Sequence, residues 1–167
     1  MRACKESFGP QREREMDTRE RLAVRYLVQK AIALYESAGK AETLARIADP
    51  EGPFIRGERY IFALDLEGSL LAHPFSKQLV SLNLTDLRDS DGRSFIRKVL
   101  ATARTRGYGF ADYQWQVPNS KEELYKTVFF ERVEEIVLCS GFHTFKENPL
   151  EAIYRYSRTY GSCREQE

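Results

Sequence analysis

A lysine set inside an apolar, strand-like run is the residue of this chain best placed to do chemistry. Lys126 stands among Tyr125, Thr127, Val128, Phe129 and Phe130, all of them residue types that favour a pleated sheet. Alternation puts its side chain on one face with Val128 and Phe130, opposite Tyr125, Thr127 and Phe129. An amine facing an aromatic-lined cavity donates up to about three hydrogen bonds and suits a carboxylate. The competing placement is a solvated sheet face, which a bare sequence makes the commoner one. Tyr113 and Trp115 lie two apart on one strand face. Their phenol and indole donors can wall a pocket, or both rings can simply fill a core. Asp112 points the other way and reads as structural. His73, just before Pro74, offers a neutral imidazole to a ligand oxygen or to the backbone at a strand end; we place it in the pocket.

Other reactive residues lead nowhere. His143 has no acidic or thiol partner within sequence reach and reads as surface or structural. Asp86, Asp89, Asp91 and Gly92 suggest a calcium loop, but the ligand pattern fails at Arg88. Asp89 or Asp91 is better read as a helix N-cap, and no metal or cofactor is expected. The nucleophile elbow, the zinc-protease motif, the phosphate loop and the dinucleotide glycine pattern do not occur. With two histidines a triad would have to be assembled from distant residues, so the chain is not read as an enzyme. The three cysteines show no metal spacing. Cys139 sits in Ile136-Val137-Leu138-Cys139 as a small buried hydrophobe, while Cys4 and Cys163 either pair or stay free.

The chain has 167 residues, the size of one domain. Its 26 basic and 25 acidic residues leave a net charge of +1, which gives no electrostatic case for nucleic acid. No apolar run approaches the ~18 residues of a membrane span. The N-terminus (Arg2, Lys5, Arg12, Glu13, Arg14, Glu15) carries no hydrophobic signal segment, although the chain can be the trimmed, exported part of a longer protein.

The elements that would position these residues follow from periodicity. The first ten residues read as disordered, with Gly9-Pro10 as breakers. A long helix over about 12–38 is predicted from Leu22, Tyr26, Leu27, Ala31, Leu34, Tyr35 and Ala38. Gly39 stops it, and 41–48 add a turn or two before Asp49-Pro50. Arg59–Asp65 and Ser69–Pro74 read as a hairpin turned by Glu67-Gly68. A second helix carries Phe95, Ile96, Val99, Leu100 and Ala103, and strands follow at 109–115, 125–133 and 136–145. The tail from Asn148 to Tyr160 can form a last helix. Short links favour antiparallel neighbours, so the fold class is α+β: an antiparallel sheet of about five strands with helices packed on it.

Several pieces in this order resemble the single Cache domain, a PAS-like extracellular sensor family. They are Tyr60–Gly68, Leu71-Ala72-His73-Pro74, Leu82–Gly92, Gly109–Trp115, Lys126 and Cys139-Ser140-Gly141-Phe142. Together with the long helix they define one sensor domain over 11–146, between a disordered 1–10 and a C-terminal helix and tail at 147–167. The resemblance implies a periplasmic or extracellular module that binds a short carboxylate such as acetate, pyruvate or lactate and signals by a conformational change. It also implies pocket positions at Phe129 and Phe142, where the family often carries tyrosine. Two lost hydroxyls there would favour an acid with an apolar tail over a more polar ligand. The alternatives are a free-standing exported binding protein, or a module that forms a homodimer through the N-terminal helix and keeps a vestigial pocket.

Overall fold

The computed structural model describes residues 10–89, 92–116 and 123–144. Helix α1 spans Pro10–Ala48, with Gly39 at φ 85° and ψ 175° breaking its regular backbone. The kink falls where the sequence places a stop, and a second short helical piece continues beyond it. The buried face is Val24, Leu27, Val28, Ala31 and Tyr35, a spacing of three and four. Leu22 and Tyr26 of the predicted stripe are instead 62% and 63% exposed. Val24 and Val28 occupy the centre of the stripe, so the helix is rotated from the expected face.

Strands β1 (Ile55–Arg56), β2 (Arg59–Asp65), β3 (Leu70–Ala72), β4 (Tyr108–Gln116), β5 (Glu123–Val133) and β6 (Ile136–Thr144) form one antiparallel sheet. Its order is β1-β2-β6-β5-β4, with β3 also on β2. The expected strands are all present, and the two-residue β1 is added. The β2–β3 turn is set by Asp65, whose Oδ1 accepts the N–H of Glu67 at 3.0 Å and of Ser69 at 2.8 Å. Gly68 there has φ 96°, and a Cβ on it would stand 2.4 Å from Thr85 Cγ2. Both the turn and the close approach require glycine.

The sheet is covered on both faces, so its strands read as continuous apolar runs. α1 packs on Ile61, Ala63, Phe129, Ile136, Leu138 and Phe142. Helix α2 (Phe95–Arg106) packs with Phe95, Ile96, Val99, Leu100 and Ala103 on Phe62, Leu64, Val128, Phe130, Val137 and Cys139. Ser94 is the N-cap of α2 and makes no side-chain capping bond. Asp89 is not the cap: its Oδ1 accepts the Arg93 N–H at 2.8 Å within the preceding loop. Asp91, the C-terminal helix, the disordered N-terminus and the pairing of Cys4 with Cys163 fall outside the described residues. Among those described, no helix is long and apolar enough to cross a membrane.

The rotation of α1 has a measurable consequence. Leu27→Ala, at 3% exposure, should cost about 2–5 kcal/mol. Leu22→Ala, at 62% exposure, should stay within roughly 0.5 kcal/mol of wild type. Urea denaturation of both variants checks the assignment, and a reversed order would place the wrong face on the sheet.

Candidate functional site

Between α2, the 73–89 loop and the sheet lies a cavity lined by Tyr60, Phe62, His73, Phe95, Tyr113 and Lys126, with Leu79, Leu84 and Leu87 from the loop. Its volume is about 30 Å³. A single water needs roughly 10–15 Å³, so about two or three water-sized groups fit.

Lys126 is the charged group in it. The side chain is 3% exposed, and Nζ donates to Tyr60 Oη at 3.1 Å. The amine also stands 4.5 Å from the Tyr60 ring centroid and 5.8 Å from that of Phe62. Among the described residues it makes no ion pair. A buried ammonium with two ring faces and one phenol oxygen has lost hydration without gaining an anion.

Tyr113 lies directly opposite Lys126 across the β4–β5 ladder. It is 2% exposed and stacks on Phe95 of α2 at 3.9 Å with ring planes 9° apart. Burial pushes its phenol well above its ordinary value of 10, so it stays a hydroxyl. His73 caps the backbone at the strand end, the second of the two placements expected for it, and also lines the cavity. Its Nδ1 accepts the backbone N–H groups of Phe75 at 3.0 Å and Ser76 at 2.9 Å, while its ring packs 4.9 Å from Tyr60. An imidazole accepting at Nδ1 carries its proton on Nε2. Burial, aided by the Lys126 charge, lowers its pKa from 6.5 to about 4.

The structure therefore brings Lys126, Tyr113 and His73 together. Trp115 lies in β4 opposite Leu124, and its side chain is outside the described residues. Phe129 and Phe142 do not line the cavity. Both belong to the core under α1, because in β5 and β6 they alternate with Lys126, Val128 and Gly141, which lie on the α2 side of the sheet. The hydroxyls they lack therefore carry no information about a ligand. Asp112 is structural, accepting from Thr127 Oγ1 at 2.6 Å away from the site. His143 sits across the ladder from Lys126; its Nδ1 is buried and has no hydrogen-bond partner among the described residues. Burial and the Lys126 charge lower its pKa, against an opposing pull from Glu58.

Tyr60 is the residue that sequence reasoning missed. The run Tyr60–Asp65 is apolar on both faces, so alternation could not say which of its side chains meet the lysine.

A family model described as a Cache domain matches residues 24–144. The chain is similar to the methyl-accepting chemotaxis protein McpP of Pseudomonas putida, 29% identical over 117 residues, which are 64% of this chain and 22% of that protein. It is also similar to the sensor histidine kinase MctS of Rhizobium johnstonii, 36% identical over 61 residues, or 36% of this chain and 13% of that protein. The chain thus spans less than a quarter of either curated relative. Among solved structures, a periplasmic sensor domain of a chemotaxis protein matches with TM-score 0.63 and 26% identity, covering 83% of this chain and 100% of that one. A methyl-accepting chemotaxis protein from Vibrio parahaemolyticus matches with TM-score 0.66 and 20% identity, covering 80% and 94%. A Cache chemosensory domain whose structure concerns carboxylic acid recognition matches with TM-score 0.64 and 19% identity, covering 83% and 99%. These last two show a shared fold.

The His73 environment makes stability depend on pH. The folded protein keeps the imidazole neutral to about pH 4, whereas the unfolded chain takes up a proton near 6.5. The contribution is fully present above about pH 6.5 and is lost as pH falls towards 4. It is on the order of 3 kcal/mol. His143 contributes in the same direction and is left in place in the variant. Chemical denaturation across this range should therefore show a shallower loss for His73→Gln than for wild type; parallel losses would exclude His73 as the source.

Proposed function

The chain belongs to the Cache domain family, and we propose that it is the sensing module of an extracytoplasmic receptor whose ligand is a short monocarboxylate. The observation that carries this reading is the buried Lys126 amine with no carboxylate partner among the described residues. Leaving such a charge dry costs several kcal/mol, and an anion held at hydrogen-bond distance offsets that cost. The Tyr60 hydroxyl accepts from the ammonium and keeps its own proton to donate to a carboxylate oxygen. His73 retains an Nε2–H donor on the same cavity. The remaining walls, Leu84, Phe95 and Ile96 among them, offer nothing to a second charged group. A volume of about 30 Å³ leaves room only for a very small acid. The relatives that are chemotaxis and histidine-kinase proteins support a signalling role, and the periplasmic sensor domain among the structures supports the location. Exposed Leu22 and Tyr26 on α1 support a homodimer contact along that helix.

The same strands connect the site to α1. Arg59, next to Tyr60, makes two 2.7 Å hydrogen bonds to the Glu20 carboxylate of α1. Gln29 of α1 donates to Glu131 of β5, and Tyr35 donates to Glu134 at 2.9 Å. An anion that redirects Lys126 and Tyr60 therefore acts on strands that hold the helix, and a helix displaced along the sheet is the signal.

Acetate should raise the melting temperature, corresponding to ~2.7 kcal/mol at a hundred times its dissociation constant. Lys126→Met should fold with unchanged or higher stability in the absence of ligand, since it replaces an unpaired buried charge with an apolar stem. It should lose about 2 kcal/mol or more of acetate binding, roughly thirtyfold. Tyr113→Phe should lose less. Melting curves, with near-ultraviolet dichroism as the fold control, decide the matter: equal acetate responses in Lys126→Met and wild type would refute the anchor.

A further inference from the structure

Strand β6 passes Lys126 with a glycine where a side chain would ordinarily stand. Gly141 is buried and lies opposite Val128 in the β5–β6 ladder. Its φ is not in the left-handed region, so the backbone does not call for glycine. Glycine within a strand weakens it and commonly marks a close approach by something else. Here the approach is visible: a Cβ on Gly141 would stand 2.5 Å from Lys126 Cε, 2.8 Å from Val128 Cγ2 and 2.9 Å from the Thr127 carbonyl oxygen. The shortest of the three distances is to the carbon that carries the lysine nitrogen.

We propose that Gly141 is a positioning residue of this site: the side chain it lacks is the slot in which the Lys126 stem lies. The proposal rests on Lys126 being the anchor and concerns how that anchor is aimed. A lysine stem is flexible and its amine is a point charge, so direction must come from the walls. The Gly141 backbone forms one wall and the Tyr60 ring, 4.5 Å from Nζ, forms another. Filling the slot forces Cε away from β6 and takes Nζ off the 3.1 Å bond to Tyr60. A group that has to be re-aimed on binding loses affinity even when its chemistry is unchanged.

The test uses the full chain as Gly141→Ala, Lys126→Ala and the double variant. Without ligand, Gly141→Ala should lower the melting temperature in wild type and by distinctly less in the Lys126→Ala background. Equal drops in both backgrounds would mean that the new methyl meets only Val128 and Thr127, and would overturn the proposal. Should Gly141→Ala fail to fold alone, the double variant must fold; failure of both has the same overturning force. A second readout is the Lys126 Cε proton resonance, which the Tyr60 ring current should hold upfield in wild type. It should return to the ordinary lysine position in folded Gly141→Ala, and an unmoved resonance rejects the slot. Acetate affinity in folded Gly141→Ala should fall at least tenfold, and an unchanged affinity rejects the positioning role. A wild type that ignores acetate would sink the ligand reading, and the melting and resonance comparisons would still decide the case of Gly141.

Discussion

Taking the amine of Lys126 out of water leaves a cation whose protein neighbours are one phenol oxygen and two ring faces. Those partners return part of the lost hydration, since a desolvated cation–π contact contributes up to about 2 kcal/mol. They return no negative charge. Tyr113, directly opposite, is held as a hydroxyl by burial, and Cys139 on the same face is held as a thiol for the same reason. The walls are apolar, so the field of the amine is weakly screened inside the cavity. That field helps to keep His73 neutral. Burial thus sets the state of these titratable neighbours, and the buried charge adds to it at His73 while opposing it at Cys139.

The charge can sit there only because the sheet is covered on both faces. β5 places Lys126, Val128 and Phe130 towards α2, and Thr127 and Phe129 towards α1. A slip of one residue would carry Lys126 and Phe130 to the α1 face and Phe129 to the α2 face. The register is fixed by ladders on both sides of β5, nine paired positions to β4 and nine to β6. Cavity lining and helix packing are therefore written on alternate residues of the same strands.

This arrangement also explains what the sequence revealed and what it hid. Alternation within the β5 run placed Lys126 opposite Phe129, and the structure agrees. Assigning Phe129 to the pocket followed the family pattern against that alternation, and alternation proved the better guide; Phe142 pairs with Thr127 across the ladder and so joins the α1 core as well. Helix α2 was legible because its apolar stripe has polar residues between, whereas α1 carries apolar residues on more than one side. Leu22 and Tyr26 look as buried in sequence as Val24 and Val28, and only the sheet surface selects between them. Tyr60 was hidden because β2 is apolar on both faces. The Asp89 carboxylate reads like a cap, but it binds its own loop through Arg93 and reaches Gln114 of β4, a contact no local pattern encodes.

The 73–76 turn ties the cavity roof to the site by the same economy of groups. His73 Nδ1 accepts two backbone N–H groups at 3.0 and 2.9 Å, and Pro74, which lacks an N–H, leaves the donors to the next two residues. Both bonds need an unprotonated Nδ1, so the turn and the neutral imidazole require one another. The chain leaving this turn forms the short 3₁₀ helix Lys77–Leu79. It then returns along β3, where Ser81 donates its N–H to the Leu70 carbonyl at 2.8 Å and Leu70 donates to Leu82 at 3.0 Å. Leu79, Leu84 and Leu87 thereby reach the cavity as its cover. An anion beside Lys126 and His73 consequently meets β2 and β5 below and the turn that carries the cover above. Its negative charge favours the protonated imidazole that the turn excludes, while the Lys126 charge opposes it. Under the proposed reading, such an anion would oppose the turn's geometry at the roof as well as act on the sheet.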